Sequence, residues 1–155
     1  MMNKPLIKLT IPAQAEYIDV VRFTLYGIAS KAGFSYEDIE DMKVAVSEAC
    51  NNAVLHAYDY YQDGVIDVTF KLENDTIYIS IKDYGSSFKY EQPVIPPVVL
   101  NNKPLKDIVP GGLGIFMMEA LMDRVEIRTN SGTEIILTKK IVRNEELVWT
   151  TNPLV

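Results

Sequence analysis

The sequence predicts an α+β fold, a two-layer sandwich in which helices cover one face of a mostly antiparallel sheet. Apolar residues alternate with polar ones in five short stretches, as they do in strands, and recur with helical spacing in three others. Along the chain, one strand is followed by two helices, two strands, a long irregular segment, a helix and two final strands. The helices are grouped apart from the strands, and the strands are joined by short turns. This arrangement is typical of a sheet with helices packed beside it.

The composition fits one globular domain, and we expect residues 1–155 to form it. Nearly half of the 155 residues are hydrophobic (48%), and the formal net charge is −6. The negative charge argues against direct binding of nucleic acid, whose phosphates are held by Lys and Arg. A single cysteine excludes an internal disulfide. We see no secretory signal and no apolar run that would span a membrane, and therefore expect a cytoplasmic protein.

The first strand and the first helix each end at a residue that breaks regular structure. Leu6–Ile11 alternates apolar and polar residues, and Pro12 ends it. Tyr17–Ala32 has apolar residues at helical spacing, and Gly33 follows where glycine commonly ends a helix. Arg22 is a single basic residue among apolar ones in this helix, and its simplest interpretation is a surface or ion-paired side chain.

The second helix is predicted to run without a break from Tyr36 to Tyr58. Ser35 and Asp38 form a variant of the capping box, which marks the start of a helix. The second half of the helix reads VAVSEACNNAVLHAY, with apolar residues near the 3.6-residue period and no Gly or Pro. Cys50 belongs to this apolar pattern and is interpreted as a small core residue rather than a nucleophile.

Three polar residues of this helix, Glu48, Asn52 and His56, are spaced four residues apart and are predicted to line one face. A carboxylate and a carboxamide one turn apart can hold a divalent cation, or activate a hydroxyl group beside a phosphate. The alternative is a solvated helix face in which these side chains have no special role. Asn51 points about 100° away from Asn52 and is assigned no metal-binding role.

Two strands follow, and the second leads to an acidic residue. The turn residues Asp63-Gly64 precede the strand Val65–Phe70, and the strand Thr76–Ile81 follows a short polar turn. Asp83 and Gly85 then stand at the strand end. There, a carboxylate can accept a hydrogen bond from the amine of adenine, and a glycine lets the base approach the backbone. Taken alone, an Asp-x-Gly sequence is more common as a simple turn.

Residues 86–110 differ in kind from the rest of the chain. They contain five of its eight prolines and show no clear period, which predicts a lid over a site or a disordered segment. The sequence GGLG then opens a helix, whose first backbone N–H groups can bind a phosphate. The remaining predicted elements are that helix, two strands, the turn between the strands, and a polar tail: Ile115–Met122, Val125–Thr129, Glu134–Lys140, Asn130–Gly132 and residues 144–155.

Four stretches, in this order, resemble the motifs of the GHKL ATPase and kinase superfamily: VSEACNNAVLHAY, IKDYGSSF, GGLGIFMMEALMD and SGTEIILTK. Within the superfamily, the sequence is most similar to the bacterial anti-sigma-factor serine kinases, over about residues 7–140. It looks most like the general stress-response members, and the sporulation kinase is the nearest sibling. The resemblance implies the GHKL (Bergerat) ATP-binding fold, with ATP and Mg²⁺ as ligands.

The resemblance also implies a role for each candidate site residue. Glu48 would be the general base that takes a proton from a substrate serine, and Asn52 would coordinate Mg²⁺. Arg22 would contact both protein partners. For Thr133, a hairpin residue without a ligand remains the alternative to an adenine contact. The residues implied to bind the nucleotide are Asp83, Gly85 and Thr133 at the adenine, Gly112, Leu113 and Gly114 at the phosphates, and His56 in a structural or phosphate-side role.

The activity implied by the resemblance is that of an anti-sigma factor and ATP-dependent serine kinase. Such a protein would sequester an RNA polymerase sigma factor and phosphorylate a serine of a small anti-anti-sigma protein. Family members form homodimers, in which Leu6–Ile11 would pair across the two-fold axis. Two alternatives stay open. One is a non-catalytic switch that only binds a partner, and the other is a stressosome-type kinase that activates a phosphatase.

Overall fold

The computed structural model describes residues 4–57, 64–85 and 112–143 of the chain. The elements in these ranges are β1 (Leu6–Pro12), α1 (Ile18–Ala32), α2 (Tyr36–Asn52), β2 (Val65–Glu73), β3 (Thr76–Asp83), α3 (Gly112–Leu121), β4 (Arg124–Thr129) and β5 (Thr133–Lys140). The five strands form one sheet in the order β1-β2-β3-β5-β4. Each neighbouring pair in it is antiparallel.

One hydrophobic core joins the sheet to the helices within the described ranges. Every second residue of the central strands points into it, while the residues between them face the other side of the sheet. Burying each large apolar side chain contributes about 1.5–3 kcal/mol to folding. The α+β two-layer sandwich is therefore confirmed. The buried side chains of the central strands are Ile66, Val68, Phe70, Ile77, Ile79, Ile81, Ile135 and Leu137.

The hairpin turns and helix ends agree with the local sequence signals. Asn74 and Asp75 both have positive φ (49° and 60°) and join β2 to β3 in a two-residue turn, as the hairpin twist requires. Gly33 ends α1 with a φ of 98°. Ser35 Oγ accepts a hydrogen bond from the Asp38 N–H at 3.1 Å, which confirms the predicted cap of α2.

The second helix differs from its prediction at the C-terminal end. Its α-helical geometry ends at Asn52, and Ala53–Ala57 form a π-helical turn with wider hydrogen-bonded rings. The prediction of an unbroken α-helix to Tyr58 is therefore wrong, and Tyr58 itself lies outside the described residues. The step from Asn52 to His56 spans this turn, so the α-helical spacing on which the one-face prediction rests does not apply to it. The apolar sequence continues through the π-helical turn, which hides the change from a periodicity count.

The third helix begins earlier than predicted. It starts at Gly112 rather than at Ile115, so Gly112 and Gly114 belong to its first turn and not to a preceding loop. The low helix propensity of glycine explains the error, because a propensity argument places glycines outside a helix. The backbone N–H groups expected to face a phosphate are thus those of the helix itself.

Cys50 lies on the face of α2 that packs into the core, as predicted. The residue has no exposed surface, and burial raises the pKa of its thiol to about 12. The lid predicted for residues 86–110 and the tail predicted for residues 144–155 lie outside the described ranges. The assignment of residues 1–155 to a single domain stays a prediction. Within the described ranges, no helix has the length and apolar character needed to cross a membrane.

Candidate active site

Glu48 and Asn52, one turn apart on α2, face the start of α3. A Cβ atom built on Gly114 would lie 3.0 Å from Glu48 Oε2 and 3.8 Å from the amide atoms of the Asn52 side chain. Because glycine has no Cβ atom, the first turn of α3 can pack directly against these polar groups. The three residues come from two separate sequence motifs, and the fold brings them together.

A cavity of about 460 Å³ lies at this contact, and we call it the α2–α3 cavity. It contains three of the residues expected at the phosphates and the metal: Asn52, Leu113 and Gly114. The candidate base Glu48 also faces it. The other lining residues are Asn51, Leu55 and Met117.

Asn52 carries a buried polar group that no described residue satisfies. The side chain is only 6% exposed, and its Nδ2 has no hydrogen-bond partner in the described part of the chain. Leaving such a donor unpaired in a protein interior costs about 1–3 kcal/mol. The carboxamide therefore fits a ligand, since its N–H can bind a phosphate oxygen and its carbonyl oxygen can bind Mg²⁺.

Asp83 ends β3 and is held by two backbone N–H groups. Gly85 and Thr133 each donate to its Oδ1 at 3.2 Å, and the side chain is only 5% exposed. Burial raises the pKa of Asp83 above its usual range, and the two hydrogen bonds offset part of that increase. Both donors converge on Oδ1, which fixes the orientation of the carboxylate. Oδ2 is then the oxygen that can accept a hydrogen bond from a ligand.

Gly132 allows β5 to approach the end of β3 this closely. Its φ is +106°, and a Cβ atom there would collide with the backbone carbonyl oxygen of Asp83. The strand pairing places Thr133 directly opposite Asp83, so the Thr133 N–H reaches the carboxylate only because residue 132 has no side chain. The sequence predicted a turn at Asn130–Gly132, but its contact with Asp83 required knowledge of the pairing between β3 and β5.

The π-helical turn after α2 contacts β3, so the helical and strand parts of the site are neighbours. His56 lies in this turn, and its side chain is outside the described part of the structure. Gly112 is the first residue of α3. Gly85 lies two residues past the end of β3 and donates its N–H to Asp83. The predicted nucleotide-binding residues thus lie on α2 and its π-helical turn, on α3, at the end of β3 and at the start of β5, although His56 is described only by its backbone.

A second cavity, of about 760 Å³, lies between α1 and α2 and shares Glu48 and Asn51 with the first. We call it the α1–α2 cavity. Sequence reasoning assigned Asn51 no role, although its position three residues after Glu48 would have placed the two side chains side by side. The remaining lining combines charged residues with apolar ones: Asp19, Arg22, Phe23, Tyr26, Glu40, Lys43, Val44 and Ser47.

Arg22 connects α1 to α2 beside Glu48. Its guanidinium forms an ion pair with Asp19, and its Nη1 donates to Ser47 Oγ at 2.9 Å. Ser47 Oγ in turn donates to the backbone carbonyl of Lys43 at 2.6 Å. The ion pair allowed by the simplest interpretation of Arg22 is present, and its contact with protein partners stays a prediction. Arg22 and Glu48 both line the α1–α2 cavity, so the guanidinium and the candidate base face the same space.

Comparison with known proteins identifies relatives that cover most of the chain. Residues 11–139 match the family model of the histidine kinase-like ATPase domain. A protein of Halalkalibacterium halodurans is 42% identical over 141 residues, which are 90% of this chain and 85% of the relative. A protein of Staphylococcus aureus is 44% identical over 142 residues, 90% of this chain and 89% of the relative. One of Bacillus subtilis is 38% identical over 143 residues, 88% and 86% of the two chains. All three are named serine-protein kinase RsbW.

Two solved structures share the fold. One contains the RsbU and RsbW domains of a Mycobacterium tuberculosis protein. It has a TM-score of 0.65 at 26% identity and covers 90% of this chain and 33% of that one. The other is the histidine kinase domain of a blue-light activated kinase from Erythrobacter litoralis. It has a TM-score of 0.53 at 14% identity, covers 90% of this chain and 65% of that one, and shows likeness of fold alone.

Proposed function

Because the chain belongs to the RsbW family of serine-protein kinases, within the histidine kinase-like ATPase domains, we propose that it is an anti-sigma factor that phosphorylates its antagonist. It is an ATP-dependent protein serine kinase. It would sequester an RNA polymerase sigma factor and phosphorylate a serine of an anti-anti-sigma protein, which then loses affinity. The observation that most directly supports this function is the position of Glu48, which lines two neighbouring cavities at once.

We infer that ATP binds where α2, α3 and the end of β3 meet. The amine of adenine would donate to Asp83 Oδ2, because the two backbone donors already hold Oδ1. Gly85 and Thr133 would line the base, and the start of α3 at Gly112–Gly114 would receive the phosphates. His56 would lie on the phosphate side or have a structural role.

Asn52 is our candidate for the Mg²⁺ ligand. Its buried carboxamide has no partner for Nδ2 among the described residues and lines the α2–α3 cavity. Mg²⁺ in such sites is usually bound by one or two protein oxygens together with phosphate oxygens and water. The ion would neutralise charge on the phosphates during transfer. Asn52 would hold it through the carbonyl oxygen.

Glu48 is our candidate for the general base. The acceptor serine would enter through the α1–α2 cavity, while the γ-phosphate lies in the α2–α3 cavity, so that Glu48 stands between them. Its carboxylate would take the proton of the serine hydroxyl as the oxygen attacks phosphorus. The bond from the γ-phosphorus to the bridging oxygen then breaks, and ADP leaves with that oxygen.

The direct test is transfer of the γ-phosphate from labelled ATP to the anti-anti-sigma protein of the same bacterium. We expect a phosphoserine, located by mass spectrometry, and release of the phosphorylated antagonist from the kinase. If no phosphoprotein forms while a sigma factor is still bound, the chain is a non-catalytic switch. Phosphorylation without binding of any sigma factor would instead indicate a stressosome-type kinase.

Replacing Arg22 with alanine is expected to weaken binding of both protein partners about 10- to 100-fold, since a hydrogen bond to a charged group contributes about 1.5–3 kcal/mol. The affinity for ADP should not change, because Arg22 lines only the α1–α2 cavity of the two. Titration calorimetry with the sigma factor and with the antagonist measures the effect. Arg128→Ala, on β4, removes an ion-paired arginine far along the chain and serves as the control. Equal partner affinities for the two variants would contradict the assignment of Arg22.

The affinity for ADP is expected to fall as the pH is lowered. The fall should begin at a higher pH than in a site whose aspartate has the usual pKa. Burial raises the pKa of Asp83, and a protonated carboxyl group would lose the charge that attracts the adenine amine. The contribution of Asp83 to the free energy of unfolding of the free protein should change in the opposite direction. It is measured as the difference between wild type and Asp83→Asn, because Asp67 and Glu73, whose pKa values are lowered, destabilise both proteins on acidification. The folded state binds the extra proton more tightly than the unfolded state, so protonation of Asp83 favours folding. Calorimetry and chemical denaturation over the same pH series test both signs, and an ADP affinity independent of pH would contradict the assignment.

The remaining proposals concern assembly and location. β1 is an edge strand of the described sheet, and Leu6 and Ile7 on it are exposed. Such an edge can pair with a second copy across a two-fold axis, which supports a homodimer. A kinase with these partners would work in the cytoplasm, without direct contact to nucleic acid or membrane. Both statements stay predictions.

A further inference from the structure

We propose that Tyr84, held by the carboxylate of Asp67, is a positioning residue that sets the adenine-binding turn. The turn consists of Asp83, Tyr84 and Gly85. We call the hydrogen-bonded group Thr10–Asp67–Tyr84 the Asp67 tether. It lies on the face of the sheet away from the core and contains no residue expected to touch the nucleotide. The proposal rests on the proposed function of Asp83, because the tether would act through that residue.

The tether is a pair of short hydrogen bonds that use both oxygens of one carboxylate. The Tyr84 hydroxyl donates to Asp67 Oδ2 at 2.5 Å, and the Thr10 hydroxyl donates to Asp67 Oδ1 at 2.6 Å. Lys8 Nζ lies 3.6 Å from Oδ2. Asp67 pairs with Thr10 across β1 and β2, so the carboxylate itself is fixed by the edge strand. Tyr84 is therefore bound to a carboxylate that a residue of the neighbouring strand also holds.

Tyr84 is the middle residue of the turn that Asp83 closes on itself. The Asp83 carboxylate accepts from the N–H of Gly85, two residues on, which is the pattern of an Asx turn. Successive residues of a strand point to opposite faces, so the Asp83 side chain is buried while the Tyr84 side chain reaches outward to Asp67. Fixing the Tyr84 ring thus restrains the peptide group of Gly85, one of the two whose N–H groups orient Asp83.

The turn is also held from the opposite side. A Cβ atom built on Gly132 would lie 3.0 Å from Tyr84 Cα, so the β4–β5 hairpin packs directly on this backbone. Lys82 Nζ lies 5.2 Å from the centroid of the Tyr84 ring, a distance at which a cation is attracted to an aromatic face. The hairpin restrains the backbone, and the tether restrains the side chain that leaves it.

The electrostatic state of Asp67 agrees with a permanent acceptor. The hydrogen bonds from Thr10 and Tyr84 lower the pKa of Asp67, and the nearby Lys8 ammonium lowers it further. The carboxylate is therefore ionised at the pH where a bacterial kinase works, and a charged acceptor strengthens the hydrogen bond from the tyrosine.

The test is Tyr84→Phe, which removes only the hydroxyl and keeps the ring over Lys82. The variant loses the hydrogen bond from Tyr84 to the charged Asp67, and Asp83 is then less firmly oriented. The affinities for ADP and ATP should both fall by the same factor, roughly tenfold. The preference for ADP over GDP should fall as well, because a looser turn no longer presents Asp83 in one orientation. In the kinase assay, KM for ATP should rise while kcat stays unchanged.

Two further variants separate positioning from general stability. Tyr78→Phe, on the same face of β3 and near Lys71, should leave the ADP affinity and the ADP preference unchanged. Asp67→Ala should act like Tyr84→Phe, and the double variant should be no worse than the more affected single one, because both remove the hydrogen bond from Tyr84 to Asp67.

Each outcome of these measurements supports or overturns either the Asp67 tether or the proposed function. If Tyr84→Phe lowers Tm but leaves the preference for ADP over GDP intact, the tyrosine is merely structural and the positioning role is overturned. If the wild-type protein binds ADP and the variants bind it equally well, the tether is overturned and the proposed function is not. Wild type that binds no adenine nucleotide overturns the proposed function, and the tether with it.

Discussion

Replacing Glu48 with glutamine is expected to lower the rate of serine phosphorylation by about 10²- to 10⁴-fold, the usual contribution of a positioned general base. Glutamine has nearly the same size and can still face Gly114, but it cannot take the proton of the serine hydroxyl. The affinity for ADP should stay within a factor of about two, because the cavity keeps its shape and its other polar groups. Single-turnover transfer from labelled ATP to the antagonist measures the rate, and calorimetry measures the affinity.

The matched control for this variant is Glu40→Gln. Glu40 is a carboxylate on the same helix and lines the α1–α2 cavity, but it does not line the α2–α3 cavity that holds Glu48. Its ion pair with Lys43 is partly exposed and contributes little to stability. We expect Glu40→Gln to keep the wild-type rate. If the Glu48→Gln variant also phosphorylates at the wild-type rate, Glu48 is not the base, and its position between the cavities has another meaning.

Replacing Asp83 with asparagine is expected to reduce the affinity for ADP at least about 100-fold, because a site built to bind a polar group strongly rejects a mismatched one. The backbone N–H groups of Gly85 and Thr133 require an acceptor where Oδ1 now lies. The asparagine carbonyl must therefore face them, and its NH₂ group is left to face the adenine amine. Two donors then oppose each other, which also explains why the substitution should harm binding more than its small change in size suggests.

Calorimetry with ADP, with and without Mg²⁺, tests this prediction. In Asn52→Ala, which leaves Asp83 untouched, we expect ADP still to bind but without dependence on Mg²⁺. In Asp83→Asn, the relative affinity for a base with an acceptor at that position, such as hypoxanthine in inosine diphosphate, should improve. Unchanged ADP binding by Asp83→Asn would show that adenine lies elsewhere.

Local sequence signals predict most of the fold. A two-residue hairpin turn of type I′ needs positive φ at both positions, and Asn74 and Asp75 supply it. Ser35 caps α2 through a bond that spans only three residues. Such features depend on neighbours in the chain, and a periodicity or propensity argument is enough to find them. The end of α2 and the start of α3 are exceptions, since a π-helical turn and helical glycines both depend on packing against distant elements.

The candidate site is less predictable because its key contacts join distant parts of the chain. The hydrogen bond from Thr133 to Asp83 spans 50 residues, and the one from Tyr84 to Asp67 spans 17. The family resemblance proposed which residues form the site but not how the carboxylate of Asp83 is oriented. These features follow from strand register and from the packing of α1 and α3 on α2, which the sequence pattern does not encode.

Cys50 gives α2, the helix of the candidate active site, its own reporter. It is the only cysteine of the chain, lies between Glu48 and Asn52 in sequence, and has its thiol buried with the pKa raised to about 12. A thiol reagent can therefore modify it only in the fraction of molecules whose helix has opened to solvent. A nucleotide that binds only the closed helix reduces that fraction in proportion to its saturation. The labelling rate of the unmodified protein thus measures how often the residues proposed for catalysis come apart.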